Sequence, residues 1–179
     1  GLRLTGVAAH SPAETSFLNT MLQLRNSNCE VLLLGTILGD TIRILKTRQQ
    51  LQWEVPLVGN VSAYDQLIVE QSGAAAEGFY ATASVEMLYA EELSTPVAQE
   101  FFTAYTKKYG EAPSNAVQMA YFYARIFTHA LELAGPELNT HTLVRALESL
   151  ANYPDPLGGP TLRFGPGDHE GLERPLLAQ

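Results

Sequence analysis

Two stretches, Glu30-Val31-Leu32-Leu33-Leu34-Gly35 and, further on, Val55-Pro56-Leu57-Val58-Gly59, decide how this chain is read. Each is a short apolar run closed by glycine. A run apolar at successive positions has no polar face for water, so it predicts a strand buried on both faces inside a parallel sheet. Between the two runs, Ile42, Leu45 and the Leu51-Trp53 pair mark a helix, and after the second run residues 62–69 mark a short one before Ser72-Gly73. On the N-terminal side, residues 2–8 read as a strand. Ser11-Pro12-Ala13-Glu14 then offers a capping residue, a proline suited to a first turn and an acid. Phe17, Met21 and Leu24 continue at helical spacing until Asn26-Ser27-Asn28 ends the pattern. Strand and helix in strict alternation are the signature of βαβ units, so the fold class is α/β, a doubly wound parallel sheet with helices on both faces.

Farther along, the alternating stretch at residues 77–82 reads as one more strand leading into an irregular segment. Thr95-Pro96 opens a helix with Val97, Phe101, Phe102, Tyr105 and Tyr109 on one face, Lys107-Lys108 in its last turn and Gly110 after it. Pro113-Ser114 opens a longer one carrying Val117, Ala120, Tyr121, Ala124, Phe127 and Leu131, stopped by Gly135-Pro136. Aromatics at 121, 122 and 123 cover more than one of its faces, which predicts burial between layers. Residues 140–150 form a third helix with Leu143, Leu147 and Leu150 in phase. Thr161-Leu162-Arg163-Phe164 reads as a hairpin strand closed by Pro166-Gly167-Asp168, with Leu176-Leu177 starting its partner. Three helices in succession carry apolar faces for which these residues supply no sheet.

The chain has 179 residues, 46% hydrophobic and 17% charged, with a mean hydropathy of −0.02, enough to build a core and incompatible with disorder, collagen or a coiled coil. A net charge of −8 repels phosphate backbones, so no nucleic acid is expected as a partner. The longest aliphatic run, Val31-Leu32-Leu33-Leu34, is far short of the ~20 residues a membrane helix needs, so no membrane insertion of this segment is expected. The single cysteine, Cys29, can form neither an internal disulfide nor a cysteine zinc site and reads as a small buried hydrophobe. With no initiator Met and no basic segment ahead of an apolar one, the chain reads as a fragment.

Motifs for chemistry are absent: no GxSxG, no GxxxxGK[ST], no HExxH, and no GxGxxG after a strand. No catalytic residue, cofactor or metal is therefore expected, and the protein is read as a non-enzyme. His10, His129, His141 and His169 are scattered, and the dense cluster Asp168-His169-Glu170 lies between Gly167 and Gly171 as a turn. Glu91-Glu92 and Asp155 read as solvated loop charges. Position says more than motif, because ligands of a doubly wound sheet bind outside the carboxyl ends of its strands. Those ends make Gly35, Thr36, Ile37, Asn60, Val61 and Ser62 the candidate ligand-lining residues, with Thr36, Asn60 and Ser62 as polar contacts and Ile37 and Val61 as an apolar wall. The competing reading is that Gly35 and Gly59 merely make tight β–α turns.

The order of segments resembles the type I periplasmic solute-binding proteins, nearest to the leucine/isoleucine/valine-binding branch. The resemblance is carried by Ser11-Pro12 and Phe17, by Leu33-Leu34-Gly35 and Val55-Pro56-Leu57-Val58-Gly59, and by Ala75-Ala76-Glu77-Gly78-Phe79. It continues through Phe101-Phe102-Thr103-Ala104-Tyr105, Tyr109-Gly110-Glu111-Ala112-Pro113 and Leu157-Gly158-Gly159. It implies two α/β lobes joined by crossovers, a solute cleft, an ABC transporter permease as partner, a periplasmic or extracytoplasmic location and a signal peptide in the full-length protein. It further implies that residues 1–84 are most of the second lobe's sheet, 85–158 are helices of the first lobe, and 159–179 return through the hinge, the N-terminal portion being absent from this chain. The function implied is solute binding for an importer of the branched-chain amino acid type, the solute being a small amino acid, carboxylate or amide. The alternative is a ligand-sensing domain of a receptor or regulator with the same fold. Relatives that bind amino acids carry an aromatic and an acid where this chain has Ile37 and Val61, with Asp40 and Tyr64 the nearest substitutes. That departure leaves room for a less cationic solute, such as an aromatic or aliphatic carboxylate or an amide.

Overall fold

A computed structural model describes every residue except Leu2, Pro12, Ala13 and Glu173. The chain divides into two units, one of Gly1–Ala83 with Leu177–Gln179 and one of Ser84–Leu176.

The first unit is built on α1 (Leu18–Arg25), β1 (Leu32–Leu34), α2 (Leu38–Gln50), β2 (Leu57–Gly59), α3 (Gln66–Ser72) and β3 (Phe79–Ala83). Short 3₁₀ turns at Val61–Ala63 and Gly73–Ala76 flank α3. The sheet order is β1-β2-β3-β4, where β4 is Leu176–Ala178, and β1–β2 and β2–β3 are parallel. The register sets Leu32 beside Leu57 and Leu57 beside Phe79, and likewise Leu34, Gly59 and Ala81. The side chains of Leu32, Leu34, Leu57, Phe79 and Ala81 share one face and join Phe17, Met21, Ile42, Leu45 and Ile68 in a single core. The α/β alternation expected from the sequence is thus present.

Three local expectations for this unit are corrected. Residues 3–8 form no strand, and Leu4 and Val7 are exposed; Leu2 lies outside the described residues. Extended backbone becomes a strand only when a neighbour takes its N–H and C=O groups, and none of the described residues does so there. The first helix opens at Leu18 rather than near Ser11, with Phe17 as its N-cap; Pro12 and Ala13 lie outside the described residues. Phe17 is buried with its ring edge-on to His10, so tertiary packing sets that boundary. Finally, β1 is not buried on both faces. Leu33 is 74% exposed and Val31 is exposed too, because β1 pairs only with β2 among the described strands and its second face lacks cover.

Arg48 ties this unit together from near the end of α2. Its Nη1 donates to the Val55 carbonyl (3.3 Å), and its Nη2 donates to those of Ala75 (2.9 Å) and Glu77 (2.6 Å). Burial of this guanidinium lowers its pKa from the usual arginine value.

The second unit is carried by α4 (Pro96–Tyr109), α5 (Asn115–Ala134) and α6 (Thr140–Glu148). Their ends follow the sequence signals. Thr95, Ser114 and Asn139 each accept a hydrogen bond from a first-turn N–H, and Gly110 closes α4 at φ 81°, a left-handed conformation that suits glycine. Val85, Phe122, Ile126, Leu150 and Leu162 form one core cluster, and Leu88, Ala98, Phe101, Phe102 and Leu157 another, with Tyr121 stacked on Phe101.

Here too the details depart from expectation. The buried line of α5 is Asn115, Gln118, Phe122, Ile126 and Ala130; Ala120, Ala124 and Phe127 are exposed, so the helix is not enclosed between layers. Tyr121 and Val117 instead serve the Phe101 cluster, which rotates the helix away from the line that its aromatics suggest. Residues 161–164 make no strand: a single antiparallel bridge joins Tyr153 to Leu162, and Gly165 pairs with Asp168 across the expected turn. Leu176-Leu177 is not the hairpin partner, because β4 adds to the parallel sheet beside β3.

Asp155 is buried, not solvated. Its Oδ1 accepts the Leu157 N–H (2.8 Å) and its Oδ2 that of Gly159 (3.2 Å). Desolvation raises its pKa above the usual carboxylate value, Glu86 adds to that rise, and the two N–H donors oppose it. A raised folded-state pKa means that the native state holds the proton more tightly than the unfolded chain. The contribution of Asp155 to stability is therefore greatest below the ordinary carboxylate pKa, falls as pH rises through that value to the raised one, and is level above it. Asp155→Asn is expected to remove this component, which comparing the melting temperatures of both proteins from about pH 3 to about pH 7 would detect. Parallel melting curves would show that the residue carries no linkage.

Candidate functional site

The loops that leave the carboxyl ends of β1 and β2 hold all six residues singled out from the sequence. The register brings the two loops side by side, since Leu34 pairs with Gly59 and the Asn60 N–H donates to the Leu34 carbonyl (3.2 Å). Gly35 is exposed, and a Cβ there would meet no atom within 4 Å. Gly59 is different: a Cβ would stand 2.7 Å from Phe79 Cζ and 2.8 Å from Ala63 Cβ. Glycine at 59 thus answers the packing of the sheet on the following turn, whereas Gly35 leaves open space at its loop.

The polar side chains of these loops are largely engaged with their own chain. Thr36 is buried, with its Oγ1 2.7 Å from that of Thr41, and the Thr41 hydroxyl also donates to the Ile37 carbonyl (3.1 Å). Asn60 uses its Oδ1 to accept the Ser62 N–H (3.1 Å), which caps the 3₁₀ turn. Ser62 is exposed. The aliphatic residues do the opposite: Ile37, the N-cap of α2 without a side-chain capping bond, is 58% exposed, and Val61 is 42% exposed.

Both nearby substitutes for a cleft acid are turned into the packed chain. Asp40, in the first turn of α2, is 1% exposed; its Oδ1 accepts from Arg43 Nη1 (2.7 Å), while its Oδ2, 3.8 Å from His10 Nδ1, accepts no hydrogen bond among the described residues. Tyr64 packs against the core. Asp65 spends Oδ1 on the Leu67 N–H at the start of α3.

In the other unit, Asp168 Oδ1 accepts the Glu170 N–H, as in a turn, and His169 Nε2 lies 3.0 Å from Oε1 of Glu148 at the end of α6. No group of three or more His, Cys, Asp or Glu among the described residues could hold a metal ion. Two surface grooves that the sequence did not signal line α5. One, of about 360 Å³, is lined by Tyr121, Arg125, His129, Glu132 and Tyr153 among others; the second, of about 270 Å³, is apolar and includes Phe122, Phe127, Leu147 and Phe164. Among the described residues, no helix is long and apolar enough to cross a membrane.

The family model described as periplasmic binding protein matches residues 1–178. No curated protein matches the chain. Among solved structures, it is similar to a leucine-binding protein from Thermotoga maritima, with 20% identity and a TM-score of 0.67 over 87% of this chain and 43% of that one. A branched-chain amino acid ABC transporter protein from Thermus thermophilus with bound valine gives 21% identity and a TM-score of 0.71, over 91% of this chain and 47% of that one. A fatty acid ABC transporter substrate-binding protein from Thermomonospora curvata gives 23% identity and a TM-score of 0.79, over 94% and 43%. The chain thus spans less than half the length of these structures. At such identities the likeness concerns the fold, which is that of the type I periplasmic binding proteins.

Proposed function

The chain belongs to the periplasmic binding protein family, and from that premise we propose that it is part of the extracytoplasmic solute-binding component of an ABC importer. The observation that carries this reading is the family match over residues 1–178. The family is one of solute-binding proteins, and two of the solved relatives named above are ABC transporter proteins. Residues 1–84 are assigned to the second lobe's sheet, residues 85–158 to helices of the first lobe, and residues 159–179 to the returning hinge and the end of the second lobe. The exposed face of α5 and the uncovered face of β1 support a longer protein whose remaining half packs there. The mechanism is closure of the family's two lobes on a small solute, which is handed to a membrane permease. Gly35, Thr36, Ile37, Asn60, Val61 and Ser62 form one wall of that site.

A thermal-shift screen of the intact gene product against amino acids, small carboxylates, aromatic acids and amides tests this directly, because a ligand that binds only the native state raises its melting temperature. At least one class is expected to stabilise the protein. Ile37→Asp is expected to weaken binding of the hit at least about tenfold while leaving the fold intact, because a carboxylate replaces exposed aliphatic surface. A blank screen overturns the proposal, and unchanged affinity in Ile37→Asp removes that residue from the site.

A further inference from the structure

We propose that Thr41, which is not one of the six candidate lining residues, is the positioning residue of the loop that leaves β1. The inference rests on the solute-binding reading above and deepens it, because it names what holds one wall of that site in place. Thr41 stands near the start of α2 and is 0% exposed, so it acts on a solute only through other residues. Its hydroxyl reaches both Thr36 and Ile37, two consecutive members of that wall.

A hydroxyl has one proton to donate and can accept as well. Thr41 donates its proton to the Ile37 carbonyl (3.1 Å), so in the 2.7 Å contact between the two threonine oxygens Thr36 is the donor and Thr41 the acceptor. The bonds thus run in one direction, from Thr36 through Thr41 to Ile37. The backbone N–H groups of Asp40 (3.1 Å) and Thr41 (3.0 Å) meet the same carbonyl. Ile37 is the N-cap of α2 and makes no side-chain capping bond, so Thr41 ties the loop to the helix where a capping side chain would otherwise do so. Both threonines are buried, where a hydroxyl left without its partner is costly and turning Thr36 away from Thr41 is disfavoured. The pair therefore keeps the loop in one conformation, with the Thr36 hydroxyl held inward and the Ile37 backbone fixed at the carboxyl end of β1.

The test titrates the intact gene product calorimetrically with valine, isovalerate, benzoate and isobutyramide, and carries the tightest binder into variants. Thr41→Val keeps the shape and deletes the hydroxyl, and is expected to raise Kd at least about tenfold. Thr41→Ser restores the hydroxyl and is expected to bind within about threefold of the parent. The double variant Thr36→Val/Thr41→Val leaves neither hydroxyl orphaned, so it is expected to regain the parent's melting temperature while keeping the weakened binding. That variant separates positioning from folding, and it carries the comparison should Thr41→Val fail to fold. Parent-like affinity in Thr41→Val or in the double variant overturns the proposal, as does a serine variant that binds no better than the valine one. If none of the four compounds binds the parent, the compound that most stabilises it in the broader screen replaces them; a blank there removes the solute-binding reading and this inference together.

Discussion

Gln118→Ala is expected to destabilise the helical unit by about 3 kcal/mol, the larger of two structural effects. Gln118 sits in the first turn of α5 and is almost fully buried. Its Oε1 accepts the Leu88 N–H (2.9 Å), while its Nε2 donates to the Leu88 carbonyl (3.0 Å) and to that of Pro113 (3.0 Å). The side chain therefore does for an irregular segment what a neighbouring strand would do, pairing both backbone groups of one residue. Truncation strands one donor and two acceptors away from water, each costing about 1–3 kcal/mol unless water enters the space left behind. Gln118→Met keeps most of the volume and deletes every bond, so chemical denaturation of both variants separates packing from hydrogen bonding. A Met variant within about 0.5 kcal/mol of the parent would show that the three bonds contribute little.

Arg48→Met is the second, with an expected loss of about 2 kcal/mol in the sheet-bearing unit. The guanidinium reaches three carbonyls from two chain segments, Val55 on the way into β2 and Ala75 and Glu77 on the way into β3. The partial exposure of the group argues for a value below the sum of three charged hydrogen bonds. Methionine keeps the aliphatic stem and loses the fork. Arg48→Lys recovers only part of the loss, because one ammonium cannot match the spread of a planar guanidinium. Denaturation followed by Trp53 fluorescence reads this unit, since Trp53 packs against its core. Equal stability of Lys and Arg at this position would mean that charge, not geometry, is what the carbonyls need.

The two candidate loops were legible because a glycine-closed apolar run ends a strand, and the end of a parallel strand locates a site without any motif. Their chemistry was not. The Asn60 cap on Ser62 and the Asp40–Arg43 pair span two and three residues, but nothing near Thr36 says that it spends its hydroxyl on Thr41, and nothing near Asp40 says that it is buried beside His10. Likewise Gly35 and Gly59 look alike in sequence, and only the neighbours Phe79 and Ala63 make the second a packing requirement.

Local sequence signals were enough for the alternation of β1 to β3 with their helices and for where most of the helices begin and stop, as at Thr95-Pro96, Ser114 and Gly110. Those features depend on dihedral preferences, caps and periodicities that act within a few residues. Tertiary structure alone decided which faces are covered: Leu33 left open, α5 turned onto Gln118 and Phe122, residues 3–8 without a partner, and Leu176-Leu177 drawn into the sheet beside β3. Burial and hydrogen-bond pairing depend on what distant segments bring to a residue, and a hydrophobic pattern states that a face needs covering without stating what covers it.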